Sequence, residues 1–225
     1  HCDHLIGNTQ HICDWLVEAG WPRARTRYLP NFVDAVSMSP IARASLDTPE
    51  DAPLLFALGR LHANKGFDVL LQALAQIPGA YLWLAGEGPK QAELTRQAAN
   101  LGITDRIRFL GWRNDAPALF AACDIFICPS RHEPLGNVVI EAWAQDRPVV
   151  AAESSGPAAL VTEGVSGLLA PVEDADALAG AVQRVLASPD LAAALVTGGR
   201  TAYEAAFTEA KVVARYLEFF ESVMD

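Results

Sequence analysis

The most informative part of the sequence is Asp124-Ile125-Phe126-Ile127-Cys128-Pro129-Ser130-Arg131-His132-Glu133-Pro134-Leu135-Gly136-Asn137-Val138-Val139-Ile140-Glu141. Its first part is short, apolar and stopped by Pro129, which is typical of a buried strand. After Gly136, apolar residues recur at the spacing of a helix. The stretch therefore predicts a strand, a loop and a helix in direct succession.

The same alternation runs through most of the chain, from residue 54 onward. The predicted strands are 54–58, 81–85, 107–110, 124–128, 149–152 and 167–169. The predicted helices are 67–77, 90–101, 115–122, 136–145, 157–163, 176–187, 190–206 and 209–223. Repeated strand–helix units predict an α/β fold, a doubly wound parallel sheet covered by helices on both faces.

The first 50 residues predict a smaller unit and a connection. Residues 2–8 resemble the end of a strand, and a second strand is predicted at 26–29. Between them lies an amphipathic helix whose apolar residues include Ile12, Trp15 and Leu16. Residues 31–50 predict a linker or loop.

Glu133 and Glu141 are the first candidate site residues. They stand eight positions apart, one in the strand-to-helix loop and one inside the helix. In an open parallel sheet such loops lie at the carboxyl ends of the strands, where ligands bind. The N–H groups at the start of the helix suit a phosphate, and an acid on each flank can accept hydrogen bonds from the ribose and the hexose of a nucleotide-sugar. The alternative is that two glutamates take this spacing by chance.

A second loop, Gly59 to Gly66, follows the first strong strand and carries Arg60 and Lys65. Arg60 can offer a bidentate donor fork to a diphosphate, and Lys65 a point charge. Two cations in one strand-end loop of an acidic protein favour an anion site over an ordinary solvated loop.

Three further loops leave two interpretations open. Gly86-Glu87-Gly88-Pro89 is either a structural turn or a loop that faces a ligand. Residues 108–112 predict either a contact with a nucleobase or a plain strand end with a packed Trp112. Glu153-Ser154-Ser155-Gly156-Pro157 is either an anion site or ordinary helix-start chemistry.

The composition argues against several classes of function. The chain of 225 residues has a net charge of −10 and no basic stripe, which argues against nucleic acid as a partner. No apolar run approaches the roughly 20 residues of a membrane span, although peripheral membrane contact is compatible with the sequence. The four cysteines lack zinc-type spacing, and Cys123 and Cys128 are expected to be packed thiols of a reduced, cytosolic protein.

Six segments carry a family resemblance that covers nearly the whole chain. They are Leu58-Gly59-Arg60-Leu61 with Lys65-Gly66-Phe67-Asp68, Leu84-Ala85-Gly86-Glu87-Gly88-Pro89, Phe109-Leu110-Gly111, Glu133-Pro134-Leu135-Gly136 through Glu141-Ala142, Pro148-Val149-Val150-Ala151 and Gly164-Val165-Ser166-Gly167-Leu168-Leu169. In order and spacing they resemble the retaining glycosyltransferases of the GT-B fold, family 4 type, also called group 1, and their C-terminal, Rossmann-like donor-binding domain.

The resemblance implies a role for each segment. Arg60 and Lys65 would hold the donor diphosphate, Glu133 would face the transferred sugar, and these three are the implied catalytic residues. Glu141 would bind the ribose diol. The other implied substrate-binding residues are Gly59, then Phe109 and Leu110 at the base pocket, and Leu135, Gly136 and Asn137, whose amides would approach the phosphate or the sugar.

The same resemblance implies three parts. Residues 1–34 would be a remnant of the N-terminal acceptor domain with the crossover, 35–206 the donor-binding domain, and 207–225 a helix that packs back toward the N-terminal domain. The chain is therefore expected to expose apolar surface on residues 1–30 and the final helix, and to bind donor without efficient transfer. One departure is that the family often has an acid shortly after the glycine-proline of the fifth loop, where this chain reads Gly156-Pro157-Ala158-Ala159-Leu160.

The sequence thus predicts a transferase that moves a hexose, with retention, from a nucleotide-diphosphate sugar to a glycan, a lipid-linked or a small-molecule acceptor, which would bind through the N-terminal domain. No cofactor and no obligatory metal are expected, and the location is expected to be cytoplasmic or peripheral at the inner face of the membrane. The alternatives are a nucleotide-sugar epimerase of similar fold, a non-catalytic nucleotide-sugar-binding module and, ranked lower, a glycosidase.

Overall fold

The structure, a computed structural model, describes residues 2–224. The strands are β1 (Leu5–Gly7), β2 (Thr26–Tyr28), β3 (Leu54–Leu58), β4 (Tyr81–Ala85), β5 (Ile107–Gly111), β6 (Ile125–Cys128), β7 (Val149–Ala152) and β8 (Leu168–Ala170). The α-helices are α1 (Gln10–Glu18), α2 (Phe67–Ala75), α3 (Gln91–Asn100), α4 (Ala116–Ala122), α5 (Asn137–Ala144), α6 (Ser155–Leu160), α7 (Ala175–Ala187), α8 (Pro189–Ala206) and α9 (Glu209–Met224). The predicted alternation is confirmed, and β3, β4 and β7 have the predicted bounds.

Strands β3 to β8 form one parallel sheet in the order β5-β4-β3-β6-β7-β8. The chain runs outward from β3 to β5, returns to place β6 beside β3, and then runs outward in the other direction. The strand order therefore reverses between β3 and β6. In sheets of this kind, ligands bind in the crevice at the carboxyl ends of the strands at such a switch point. The loops after β3 and β6 flank that crevice.

Helices cover both faces of the sheet, which explains why its strands are apolar throughout. Successive side chains of a strand point to opposite faces. In β3, Leu55 and Ala57 belong to the core that includes residues of α2 and α3, whereas Leu54 and Phe56 belong to the core that includes residues of α4 and α5. The two cores confirm the predicted doubly wound α/β fold.

The first 30 residues form a small parallel pair of strands, β1 and β2, with α1 against it. The buried residue of α1 is Cys13, and Trp15, expected on the apolar face, is exposed. On α9, Leu217 and Phe220 are exposed as well. The structure thus has the exposed apolar surface that the sequence predicts for these two segments, and no helix within residues 2–224 has the length and apolar character to cross a bilayer.

Helix α6 differs from its prediction, 157–163, at both ends. It begins at Ser155, so Pro157 lies in the first turn, where the missing N–H of proline costs no intrahelical hydrogen bond. It ends at Leu160 because Val161 has an extended backbone, with φ −85° and ψ 124°.

Cys123 and Cys128 are free, buried thiols, as predicted. Burial raises the pKa of Cys123 to about 12 and that of Cys128 to about 11. Cys13 is free and buried too, whereas Cys2 is free and exposed.

We therefore expect a thiol reagent at neutral pH to label Cys2 quickly and the other three cysteines only after denaturation. The thiolate is the reactive form. Burial makes Cys13, Cys123 and Cys128 inaccessible, and the raised pKa of Cys123 and Cys128 also keeps those two thiols protonated. Mass spectrometry of peptides labelled before and after denaturation measures the difference. Labelling of Cys123 or Cys128 in the native protein at the rate of Cys2 would contradict the packing of β6.

Candidate functional site

The loops after β3 and β6 are in direct contact at the switch point. The His132 amide donates to the carbonyl of Asn64 at 3.1 Å. Gly66, with φ +63°, lies so close that an added Cβ would overlap the carbonyl oxygen of Pro129. Only glycine fits both the positive φ and this approach. The contact places Lys65, at the end of the first loop, beside Glu133 in the second.

Lys65 and Glu133 form an ion pair, with Lys65 Nζ 2.5 Å from Glu133 Oε2. Glu133 is only 7% exposed. Its carboxylate also accepts longer hydrogen bonds of 3.4 Å from the Ser130 hydroxyl and from the Gly136 amide. A buried charge needs such partners, because leaving it unpaired is costly. Lys65 and Glu133 thus form one unit beside the start of α5.

The backbone amides at the start of α5 are candidates for an anion contact. Gly136 precedes the helix in the left-handed region, with φ 73°, and no side chain caps the first turn. The first amides of a helix have no intrahelical acceptor and carry a partial positive charge. The loop after β7 supports this turn, since the Gly156 amide donates to the Glu133 carbonyl at 2.7 Å. An anion contact through the amides near Leu135, Gly136 and Asn137 stays a prediction, and the Gly136 amide itself is 3.4 Å from Glu133 Oε1.

Glu141 lies one turn into α5, where the charges of Glu133 and Lys65 act on its carboxyl group. Burial raises its pKa, repulsion from Glu133 adds to the increase, and Lys65 opposes it. Within residues 2–224 its carboxylate has no hydrogen-bond partner. It lines a cavity of about 330 Å³ together with Asp34 and Gln145.

We expect Glu141→Gln to stabilise the protein at neutral pH, because it removes a carboxylate whose pKa the fold raises. The folded-state pKa of Glu141 is raised above the ordinary carboxyl value. Between these two pKa values the native state binds more protons than the unfolded state, so the stability of the wild type falls as pH rises through this interval. The advantage of the variant should therefore disappear as pH falls toward the ordinary carboxyl range. Urea unfolding at several pH values measures this, with the exposed Glu221→Gln as control; an advantage that does not change with pH would contradict it.

Arg60 lines a separate cavity of about 350 Å³ at the ends of β3, β4 and β5. Arg60 is exposed and has no ion pair within residues 2–224. Gly59, Gly86 and Glu87 line the same cavity. Trp112 lies at its edge and is 78% exposed, so the interpretation of a packed Trp112 is wrong.

The structure does not bring every predicted residue into this cavity. Phe109 packs against one core and Leu110 against the other, and neither is among the residues that line the cavity. Their role at a base pocket stays a prediction. Glu87 and Trp112 line the cavity instead, and both stand in the loops after β4 and β5 for which the sequence left a ligand contact open.

No group of three or more His, Cys, Asp or Glu side chains in the described part of the chain is arranged to hold a metal ion. The predicted site residues that the structure brings into contact are Lys65, Glu133 and Gly136. Glu141 lies close enough for the charges of Glu133 and Lys65 to act on its pKa. Ser130, buried at the end of β6, belongs with them through its bond to Glu133, although the sequence indicated only the end of a strand there.

Comparisons with known proteins agree with this architecture. Residues 38–202 match the family described as "Glycosyl transferases group 1". The lipopolysaccharide core biosynthesis glycosyltransferase LpsE of Rhizobium meliloti is 37% identical over 220 residues, 98% of this chain and 64% of that protein. The GDP-mannose-dependent alpha-(1-6)-phosphatidylinositol monomannoside mannosyltransferase of Mycolicibacterium smegmatis is 34% identical over 197 residues, 80% of this chain and 52% of that protein.

A solved structure is similar over the same length. The crystal structure of Anabaena Alr3699/HepE in complex with UDP-glucose has a TM-score of 0.91 at 29% identity, covering 98% of this chain and 64% of that one. The chain thus spans just under two thirds of the length of LpsE and of this structure. With the family match, the identity to LpsE and the shared parallel sheet, the chain belongs to the group 1 glycosyltransferases of the GT-B fold.

Proposed function

We propose that this chain binds the nucleotide-diphosphate sugar of a retaining hexosyltransferase. The observation that carries the proposal is the Lys65–Glu133 pair, 2.5 Å apart, beside the uncapped start of α5. Positive charge, free helix amides and a fixed carboxylate meet there at the switch point of a doubly wound sheet, which is where such sheets bind nucleotides.

The diphosphate is assigned to Lys65, Arg60 and the amides near Leu135, Gly136 and Asn137. When the sugar leaves, negative charge develops on the diphosphate, and positive groups already in place stabilise that charge more than they stabilise the ground state. Lys65 and Arg60 supply this charge, so nucleotide binding is expected to survive a metal chelator.

The two carboxylates are assigned to the two sugars of the donor. Glu133 is held by Lys65 and by the Gly136 amide, so its oxygens keep one orientation toward the hexose hydroxyls. Glu141, with no hydrogen-bond partner in residues 2–224 and a cavity beside it, is placed to accept from the ribose diol. A glycan or lipid-linked saccharide is proposed as acceptor, supported by the role in lipopolysaccharide core biosynthesis that the name of LpsE states.

A thermal-shift series with UDP-, GDP- and ADP-sugars tests the proposal. HepE was solved with UDP-glucose and the mycobacterial relative is named for GDP-mannose, so both bases belong in the series. A ligand at about 100 times its Kd stabilises by about 2.7 kcal/mol, which raises the Tm of a chain of this size by roughly 5–10 °C. A series in which no nucleotide-sugar raises the Tm would overturn the proposal.

Sugar transfer and retention of the anomeric configuration are both tested on the product of the reaction. Assays with glycan and lipid-linked acceptors, followed by NMR of the anomeric proton of the product, give both. An unchanged anomeric configuration supports the retaining assignment, and inversion contradicts it.

A further inference from the structure

Arg131 lies two residues before Glu133 and connects the loops around the site. Its Nη1 and Nη2 donate to Oδ1 and Oδ2 of Asp68, each at 2.7 Å, and Nη1 also donates to the carbonyl of Ala63 at 2.9 Å. Its Nε donates to Oε1 of Glu173 at 2.6 Å. One guanidinium group thus joins the loop after β6 to the loop after β3, to the first turn of α2 and to the segment before α7.

These contacts surround the Lys65–Glu133 pair. Ala63 precedes Lys65 by two residues and Asp68 follows it by three, so both ends of the segment that carries Lys65 are held by the same side chain. The backbone contacts of His132 with Asn64 and of Gly66 with Pro129 hold the two loops together. The lysine stem is flexible and its ammonium is a point charge, so the Lys65–Glu133 pair does not fix the orientation of the segment around Lys65. A planar guanidinium in a bidentate pair fixes both distance and orientation.

Arg131 does not act as a diphosphate ligand in this arrangement. A guanidinium has five N–H donors, and the four hydrogen bonds to Asp68, Ala63 and Glu173 engage most of them. Arg60 contrasts with it, since Arg60 has no ion pair within residues 2–224. The Arg131–Asp68 pair is also partly exposed, at 26% and 36%, and exposed pairs of this kind contribute little to stability.

We infer that Arg131 is a positioning residue of the donor site: it adds to the backbone contacts between the Lys65 loop and the Glu133 loop, and fixes the orientation of the segment that carries Lys65 for a diphosphate. The inference rests on the proposed function, because it assigns Lys65 to the diphosphate. A misplacement of about 1 Å far from the reacting atoms can cost about a hundredfold in rate, so a shift of Lys65 caused by the loss of this clamp should also be measurable in diphosphate affinity, although Arg131 is not assigned to the diphosphate.

Arg200 provides a matched control. Its side chain is 27% exposed, against 26% for Arg131. It also makes a bidentate pair, with Asp146 at 2.7 and 2.5 Å, and one bond to a carbonyl, that of Ala144, at 3.1 Å. This second clamp lies at the C-terminal end of α5, away from Lys65 and Glu133.

The experiment compares Arg131→Gln, Asp68→Asn and Arg200→Gln by calorimetry. UDP, GDP and ADP are titrated into the wild-type chain first, and the one that binds is then used with its own nucleoside. Arg131→Gln is expected to weaken diphosphate binding at least tenfold and nucleoside binding less than twofold, and Asp68→Asn should act in the same direction. Arg200→Gln should change each affinity less than twofold.

Two further variants separate positioning from general damage. The single variants Arg131→Gln and Asp68→Asn remove the same contact. The double variant Arg131→Gln/Asp68→Asn should therefore bind the diphosphate about as tightly as the single variant that binds it more weakly. Arg131→Lys should not restore binding, because one ammonium cannot make the fork. The inference would be overturned if Arg131→Gln bound the diphosphate within twofold of Arg200→Gln, or if Arg131→Gln lost as much nucleoside affinity as diphosphate affinity. Either result would leave the proposed function intact. Failure of the wild type to bind any of the three diphosphates would overturn the proposed function itself.

Discussion

Replacing Lys65 with Met is expected to weaken binding of a nucleoside diphosphate roughly 10- to 100-fold and to leave binding of the free nucleoside nearly unchanged. A hydrogen bond to a charged group contributes about 1.5–3 kcal/mol, and every 1.4 kcal/mol is about tenfold in affinity. Met keeps most of the length of the side chain, so the ammonium charge is what the variant removes.

The same substitution should also destabilise the fold, which gives a second readout. Without Lys65, the buried Glu133 carboxylate keeps only its two 3.4 Å contacts, with Ser130 and Gly136. Leaving a buried group poorly satisfied costs on the order of 1–3 kcal/mol. Adding Glu133→Gln to Lys65→Met removes the unpaired charge and should recover much of that stability without recovering diphosphate binding.

Lys90→Met is the control for both readouts. Lys90 and Glu93 are also 2.5 Å apart, but their side chains are 39% and 53% exposed. An exposed pair is expected to contribute no more than about 1 kcal/mol to stability, and this one should contribute nothing to nucleotide binding.

Arg60→Ala should reproduce the selective loss of diphosphate affinity without the loss of stability. Equal losses for nucleoside and diphosphate in both site variants would refute the phosphate role of these two cations.

The fold was predictable because hydrophobic periodicity is a local signal. The five apolar residues of β3 and the helical spacing after Gly66 and Gly136 each define an element without reference to the rest of the chain. The order of the strands is not local, and the reversal between β3 and β6 becomes visible only once the sheet is formed.

The same distinction separates the predictable part of the site from the rest. Lys65 and Glu133 were each identifiable from their loops, but the ion pair joins residues 68 positions apart in the sequence. The role of Arg131 is not visible in the sequence, because its partners, Asp68 and Glu173, also lie far away in the chain.

Trp112 follows an irregular strand end that the sequence does not show. The pairing of β4 with β5 shifts register between Leu84 and Ala85, and Gly111 has φ +64°. Beyond that point, simple alternation no longer tells which side chains point into a core. This is why the sequence left open whether Trp112 is packed, whereas in the structure its ring is exposed at the cavity.

The largest effect on stability is expected from Gly86→Ala, which should cost at least about 4 kcal/mol or prevent folding. Gly86 has φ +132°, a conformation that a residue with a Cβ rarely adopts, and an added Cβ would overlap the carbonyl oxygen of Gly59. Its amide also donates to the Gly111 carbonyl at 2.7 Å, so the backbone has little room to move away. Three loops at the Arg60 cavity meet at this one residue.

Gly180→Ala is the matched control, because the same methyl group should there have the opposite effect. Gly180 lies inside α7, and a Cβ on it would meet no atom within 4 Å. Alanine in a helix interior is favoured over glycine by roughly 0.5–1 kcal/mol, so this variant should be more stable than the wild type. Denaturant unfolding of both variants gives the two signs directly. A Gly86→Ala protein as stable as the wild type would mean that the loops after β3 and β4 do not approach each other as described, and the placement of Arg60 at the cavity would fall with them.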